Sequence, residues 1–293
     1  MSKVVPFINW AGGKSQLIRQ MLPYFPKISR YQRYVEPFLG GGAVFLSLGP
    51  HRAVLADYNE DLINCYRVVR DDVDTLISML SKYIRDREHY YEVREQDPKR
   101  LDTVARAARF IYLNKTCYNG VYRVNLKGKF NVPFGNRSAK IYDEDNLRQA
   151  SHALKNVELL AQSYEITLQQ AMPGDFIYLD PPYHGSTRTA NFAKYTCIPF
   201  SEEDHIKLAK EFERLTELGC MVMLSNSDTP LIRKLYRHHH CETLMARRYV
   251  NCNGSRRKAT AELLILNYRP LAPLPNQPVG SGPQVACAAS ATA

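Results

Sequence analysis

The chain has 293 residues, 45% apolar and 23% charged, the balance of a globular protein with a sizeable core. Lys and Arg number 39 against 29 Asp and Glu, a formal net charge of +10. A polyanionic partner is therefore expected, either nucleic acid or an anionic membrane surface. No run reaches the roughly 18 apolar residues of a membrane span. The N-terminus lacks the apolar stretch and small-residue cleavage site of a secretory leader, so a cytoplasmic protein is expected. The seven Cys form no Cys-x-x-Cys pair and read as reduced, structural thiols. His238, His239 and His240 are contiguous and point different ways on any regular element, so no metal site is expected there.

In chain order, Arg33 to Pro37 reads as a short strand, followed by the glycine turn Leu39-Gly40-Gly41-Gly42 and a helix from Ala43 to about Leu48. Ala53 to Asp57 reads as a second strand ending on an acid, and Asp61 to Val69 as a helix with apolar residues at 3–4 spacing. Strand, glycine turn, helix, strand, acid is the opening of a nucleotide-binding α/β fold. Residues 72–160 differ in character, being rich in charge and helix formers. Asn119-Gly120 and Lys127-Gly128 are turn signals, and a hairpin or ordered loop is expected over 114–137. Lys99 to Lys140 holds ten basic residues and one acid, a net of +9. A second basic stretch runs from Arg247 to Lys258.

The α/β pattern then resumes. Asp175 to Asp180 reads as a buried strand running into Pro181-Pro182-Tyr183. Ser201 to Leu218 reads as a helix with Ser201 as N-cap, Asp204 at the third position and Gly219 past its end. Cys220 to Leu224 reads as another buried strand, and Ala261 to Tyr268 as the strand that closes the sheet. From Pro270 onward the chain carries no charge. Residues 269–293 are expected to form a disordered tail.

Two nucleotide motifs fail. Trp10-Ala11-Gly12-Gly13-Lys14-Ser15 lacks the first glycine of a P-loop, because Ile8 occupies that position. Phe45 stands where a dinucleotide fingerprint needs its third glycine. The Lys14 loop still offers a cation beside two glycines, suited to a carboxylate or phosphate; the alternative is a tight turn before a helix. Asp57 is placed to accept from ribose hydroxyls, or to cap the next helix. Asp180-Pro181-Pro182-Tyr183 is the most informative segment. A strand delivers the Asp180 carboxylate to its carboxyl end, and the prolines remove backbone donors. A carboxylate oxygen and a proline carbonyl together bind an exocyclic NH₂, and Tyr183 offers a face for a planar base.

The Lys14 loop, Pro37-Phe38-Leu39-Gly40-Gly41-Gly42, Asp57, a basic insert and Asp180-Pro181-Pro182-Tyr183 occur in that order. Residues 6–268 thereby resemble the Dam-type N6-adenine DNA methyltransferases. Tyr118-Asn119-Gly120 through Arg123, and Phe130 to Gly135, are similar to that family's DNA-recognition hairpin. Ala190-Asn191-Phe192, Ser225-Asn226 and Asn253-Gly254 resemble further family segments. The resemblance implies an α/β, Rossmann-like methyltransferase sheet over 1–71 and 161–268, with a helical DNA-recognition insert over 72–160 carrying a β-hairpin. It implies S-adenosyl-L-methionine as cofactor, with Trp10, Lys14, Phe38, Gly40, Gly42, Asp57 and Asp180 in its site. It implies double-stranded DNA as partner, read within GATC; direct transfer needs no metal, and a monomer is expected.

In the same resemblance Asp180, Pro181, Pro182 and Tyr183 are catalytic. Arg123 reads a guanine, Tyr118 and Asn119 wedge into the stack, and Val121 and Pro133 make apolar contacts. Three positions depart from the family pattern: Asn9 replaces a lysine, Val121 a frequent leucine, and Arg137 an aromatic residue of a close relative. Rival readings are an RNA or protein methyltransferase, which would lack the Asn-Gly hairpin, and a non-enzymatic DNA-binding module, which would not need the cofactor residues.

Overall fold

In a computed structural model, residues 4–125, 128–136, 140–185, 200–246 and 260–270 are described. Seven strands form one sheet: β1 (Arg33–Glu36), β2 (Ala53–Asp57), β3 (Val157–Ala161), β4 (Asp175–Leu179), β5 (Met221–Ser227), β6 (His240–Ala246) and β7 (Thr260–Leu266). Their spatial order is β3-β2-β1-β4-β5-β7-β6. The first five in space run parallel, and β7 joins β5 and β6 antiparallel. The direction of winding reverses between β1 and β4. Ligands of open α/β sheets bind at such a switch, beyond the carboxyl ends of the strands.

Alternation along each strand divides the core. Tyr34, Phe176, Tyr178, Met223, Leu264 and Leu266 face one side, and Val35, Ile177, Leu179, Val222, Leu263 and Ile265 the other. Both faces are covered, which is why the central strands read as continuous apolar runs. On the second side lie α8 (Tyr164–Gln169), α9 (Glu202–Glu217) and α10 (Pro230–Leu235). Helix α9 starts with a complete capping box, Ser201 accepting from Asp204 N while Asp204 accepts from Ser201 N. It buries Leu208, Phe212 and Leu215 on one stripe. Ser201→Ala there costs about 1 kcal/mol.

The first side carries α1 (Ile18–Met21), α2 (Ala43–Leu48) and α3 (Glu60–Asp71), and then the insert helices α4 (Val73–Leu80), α5 (Arg87–Glu95), α6 (Thr103–Thr116) and α7 (Glu144–Leu154). One apolar cluster runs without a break from Tyr34 and Phe176 on the sheet to Leu76, Tyr90, Ile111 and Leu147 in the insert. Helices α4–α7 are therefore packed onto the sheet through a shared core. Helix α6 is buried on most sides, including Arg109 and Asn114. The Arg109 guanidinium donates to the carbonyls of Val93 and Arg94 at 3.0 and 2.7 Å, satisfying the open end of α5.

Several expectations change in detail. Strand β3 is paired with β2 from Val157, so residues 157–160 belong to the sheet and not to the insert. Asp57 does not cap α3; Asn59 does, accepting from Leu62 N. Strand β7 does not close the sheet as an edge, because β6 lies outside it. That edge strand begins at His240, inside the histidine run. His239 and His240 pair with Glu213 and Glu242, and no cluster of metal-ligating side chains occurs among the described residues. No helix among them is long and apolar enough to cross a membrane. The uncharged stretch from 271, the basic residues 247–258 and the segment holding Ala190-Asn191-Phe192 lie outside the described residues.

Candidate active site

Four chain segments meet beyond the carboxyl ends of the parallel strands. The first is the glycine turn after β1. Gly40 and Gly42 both adopt left-handed backbone, φ 49° and 64°. A Cβ on Gly40 would fall 2.5 Å from Trp10 Cδ1, and one on Gly42 would fall 2.7 Å from the Tyr66 hydroxyl. Only glycine satisfies both demands here. Phe38, half-buried, stacks on Tyr164 with ring centroids 5.1 Å apart.

Asp57 supplies the second segment, at the end of β2. Its Oδ2 accepts from Gly40 N at 3.0 Å and its Oδ1 from Asn59 N at 2.9 Å. The carboxylate thus braces the glycine turn and still has lone pairs for a further donor. Burial pushes its pKa up to about 6, against the lowering effect of the two backbone N–H groups.

The N-terminal loop is the third. Lys14 is buried, and its ammonium donates to Gly12 O at 2.7 Å and to Asp180 Oδ2 at 2.7 Å. The loop is a turn leading into the short helix Lys14–Gln16, and its cation faces the protein's own Asp180 carboxylate. Trp10 lies over Gly40 and stacks with Tyr122 and Phe110, at 5.9 and 6.4 Å between centroids.

The fourth is Asp180-Pro181-Pro182-Tyr183, leaving β4 at the switch point. Burial raises the Asp180 pKa to about 6, with Lys14 lowering it and Glu262 adding to the rise. Its second oxygen, Oδ1, is buried and has no hydrogen-bond partner among the described residues. A buried carboxylate oxygen left open in this way has the capacity to accept a further donor. Tyr183 donates to Glu262 Oε2 at 2.6 Å, and the Lys14 ammonium lies 4.9 Å from its ring centroid. The following residue, His184, is tied by its backbone N–H to Asn226 Oδ1 and by its ring to Thr229.

Past the end of α6 the chain continues as an antiparallel ribbon. Bridges join Cys117 to Phe134 and Val124 to Phe130, with Asn131 N donating to Arg123 O and Tyr118 N to Pro133 O. Among the described residues its two arms are joined by isolated bridges and not by a continuous ladder. Asn119 and Gly120 both have positive φ, as an Asn-Gly turn requires. Tyr118, Asn119 and Pro133 are exposed, while Val121 and Arg123 are half-buried. Arg123 donates through Nε to Asn131 Oδ1 at 2.8 Å, so the ribbon itself orients this guanidinium. Asn9 is exposed and packs on Gly120, and its backbone pairs with the buried Asn114 side chain in both directions. Arg137 lies outside the described residues.

The basic surplus is not all available to a partner. Arg106 pairs with Asp61 and Glu60, and Arg109 is consumed by the end of α5. Glu36, Tyr122 and Glu262 also reach the site although no motif marks them. Glu36 is buried beside Asp180, accepts from the Tyr34 hydroxyl at 2.8 Å, and is pushed by burial to a pKa of about 8. An acid closing the strand before the glycine turn was its only signal. Tyr122 ties the ribbon to the site by stacking on Trp10 and by donating to Asp61 at 3.4 Å. Nothing local marks Glu262, which reaches Tyr183 only because β7 runs beside β5.

Residues 10–250 match the family described as D12 class N6 adenine-specific DNA methyltransferase. The chain is 43% identical over 289 residues to the type II methyltransferase M.MjaIII of Methanocaldococcus jannaschii, covering 91% of this chain and 100% of that one. It is 38% identical over 272 residues to the type II methyltransferase M1.LlaDCHI of Lactococcus lactis subsp. cremoris, covering 90% and 95%. To the DNA adenine methylase of Escherichia coli K12 it is 36% identical over 274 residues, covering 92% and 97%. The matched span holds the glycine turn, the ribbon and the Asp-Pro-Pro-Tyr segment together, and the chain belongs to the D12 class of N6 adenine-specific DNA methyltransferases.

Proposed function

We propose that this chain methylates N6 of an adenine extruded from duplex DNA, within the sequence GATC. The observation that carries the chemistry is the divided role of the Asp180 carboxylate. Lys14 holds Oδ2, while Oδ1 is buried and open among the described residues. The N6 amine is a poor nucleophile because its lone pair is delocalised into the ring. Asp180 Oδ1 and the Pro181 carbonyl accept its two N–H bonds and draw the nitrogen toward tetrahedral geometry. Its lone pair is then directed at the methyl donor, the one proton that N6 gives up is lost by way of the Asp180 carboxylate to water, and positioning provides much of the remaining acceleration.

The family implies S-adenosylmethionine, which when bound supplies an electrophilic methyl on a sulfonium. The residues fit it. Gly40 and Gly42 present bare backbone, Asp57 retains acceptor capacity for a ribose hydroxyl, and Asp180 brings negative charge. Trp10, Lys14 and Phe38 complete this proposed cofactor wall. A paired adenine hides N6, so extrusion costs a few kcal/mol. Stacking on Tyr183, worth about 1–3 kcal/mol per base, offsets part of this.

On the DNA side, Arg123 reads guanine O6 and N7. Tyr118 and Asn119 enter the stack, and Val121 and Pro133 touch the bases. Asn9 faces the outer base pair beside the ribbon, and Arg137 adds a further DNA contact. GATC is supported by the likeness of Tyr118–Arg123 and Phe130–Gly135 to Dam-type recognition hairpins. The test is to incubate purified protein, S-adenosylmethionine and unmodified DNA, then sequence the modified bases. N6-methyladenine confined to GATC is expected. Methylation elsewhere overturns the specificity, and its absence from DNA overturns the proposal.

A further inference from the structure

Tyr183 has little freedom. Two prolines stiffen the backbone before it, the Lys14 ammonium lies over its ring, and its hydroxyl meets Glu262 at 2.6 Å. Burial and the neighbouring carboxylates hold that hydroxyl well above its ordinary pKa, so it stays a donor and Glu262 the acceptor. Glu262 sits on β7, paired with Ser227 of β5 and Leu244 of β6. Its neighbours on the same face, Leu264 and Leu266, are fully buried in the core. The strand is paired along its length, and its one acid is delivered to the tyrosine at a fixed height above the sheet. A tyrosine ring hinges about its Cα–Cβ and Cβ–Cγ bonds, so pinning the hydroxyl fixes the plane of the face.

We infer that Glu262 is a positioning residue for methyl transfer, setting through the Tyr183 hydroxyl the plane on which the target adenine stacks. This rests on the proposal that the base is extruded onto Tyr183. It assigns the antiparallel strand β7 a part in the reaction beyond completing the sheet. Glu262 also bears on Asp180 electrostatically, so charge and hydrogen bond must be separated. Glu262→Gln removes the charge and keeps an acceptor, whereas Glu262→Leu removes both.

The experiment measures single-turnover methylation and cofactor KM for Glu262→Gln, Glu262→Leu, Tyr183→Phe and the double variant Glu262→Leu/Tyr183→Phe. A duplex with 2-aminopurine at the target adenine reports extrusion by fluorescence. Glu262→Leu and Tyr183→Phe are each expected to lower kcat about 10-fold, as a small misplacement of a reacting group does. The double variant falls no further, cofactor KM stays within about two-fold, and Glu262→Gln retains most of the rate. Near-normal kcat in Tyr183→Phe, or losses that multiply in the double variant, would overturn the inference. Should Glu262→Leu not fold, Tyr183→Phe breaks the same bond from the other side and Glu262→Gln supplies the rescue. A wild-type complex with no rise in fluorescence overturns extrusion itself. A clear rise with unaffected variants overturns only the role of Glu262.

Discussion

Lys14 Nζ lies 2.7 Å from Asp180 Oδ2, an ion pair between residues 166 apart in the chain. Both side chains are largely shielded, at 5% and 19% exposure, so little water weakens their attraction. The pair orients one oxygen of the carboxylate and leaves the other for a substrate. It also opposes the effect of burial on Asp180, whose pKa is about 6. The proposed reaction needs the ionised form, since only that form accepts through both oxygens. The pH profile of kcat/KM is therefore expected to fall as pH drops through about 6. Lys14→Gln should move that limb to higher pH, and Asp180→Ala should abolish transfer while DNA binding survives. An unshifted limb in Lys14→Gln would show that another group titrates.

Glu36 gives a stability prediction of definite sign. Its pKa is about 8 in the folded protein against 4.5 ordinarily. Below about 4.5 it is protonated in both states. Between there and about 8 the unfolded chain ionises first, so stability falls as pH rises. Glu36→Gln removes this dependence. The difference in Tm, variant minus wild type, should grow more positive from pH 5 to pH 8.5 by calorimetry. A difference flat with pH would contradict it.

Arg123 is held by Asn131 on the facing arm of the ribbon. Its proposed bidentate pairing with guanine is worth about 1–3 kcal/mol of discrimination. Arg123→Ala should relax one base position. Asn131→Ala, which removes the side-chain support of the guanidinium and leaves its bond to the Asn131 carbonyl, should relax the same position by less. Equal losses on every sequence would mark Arg123 as a phosphate contact.

The +9 of Lys99–Lys140 divides into partner-facing and internal charge. DNA affinity should fall steeply with salt. Replacing exposed Lys129 by Ala should reduce the salt slope by about 1 if it meets a phosphate. Arg109→Ala should leave the slope unchanged and instead lower stability by about 1–3 kcal/mol, because two carbonyls of α5 lose their donor. Denaturant midpoints and binding at two salt concentrations separate these effects.

Local pattern made much of the fold legible. The β1 strand, glycine turn and α2 were readable because φ above zero and bare backbone call for glycine at 40 and 42. The α9 capping box was readable because Ser201 and Asp204 satisfy each other within one turn. The Asn119-Gly120 turn needs no distant partner. Strand β3 was hidden because only five residues follow α7 without a break in composition. Strand β6 was hidden because, as a sheet edge, it buries only Leu244 fully among its described residues and so carries little apolar alternation.

The sequence by itself determined the order of chemical parts: a lysine loop, a glycine turn, an acid, a basic insert and Asp-Pro-Pro-Tyr. It also determined their local conformations, because turns, caps and alternation depend on residues a few positions apart. Only the tertiary structure decided partners. It set Lys14 against Asp180, Trp10 against Tyr122, and Glu262 against Tyr183, and it withdrew Arg106 and Arg109 from the charged surface. Such pairings depend on which strands become neighbours, and that choice is made by burying both faces of one sheet.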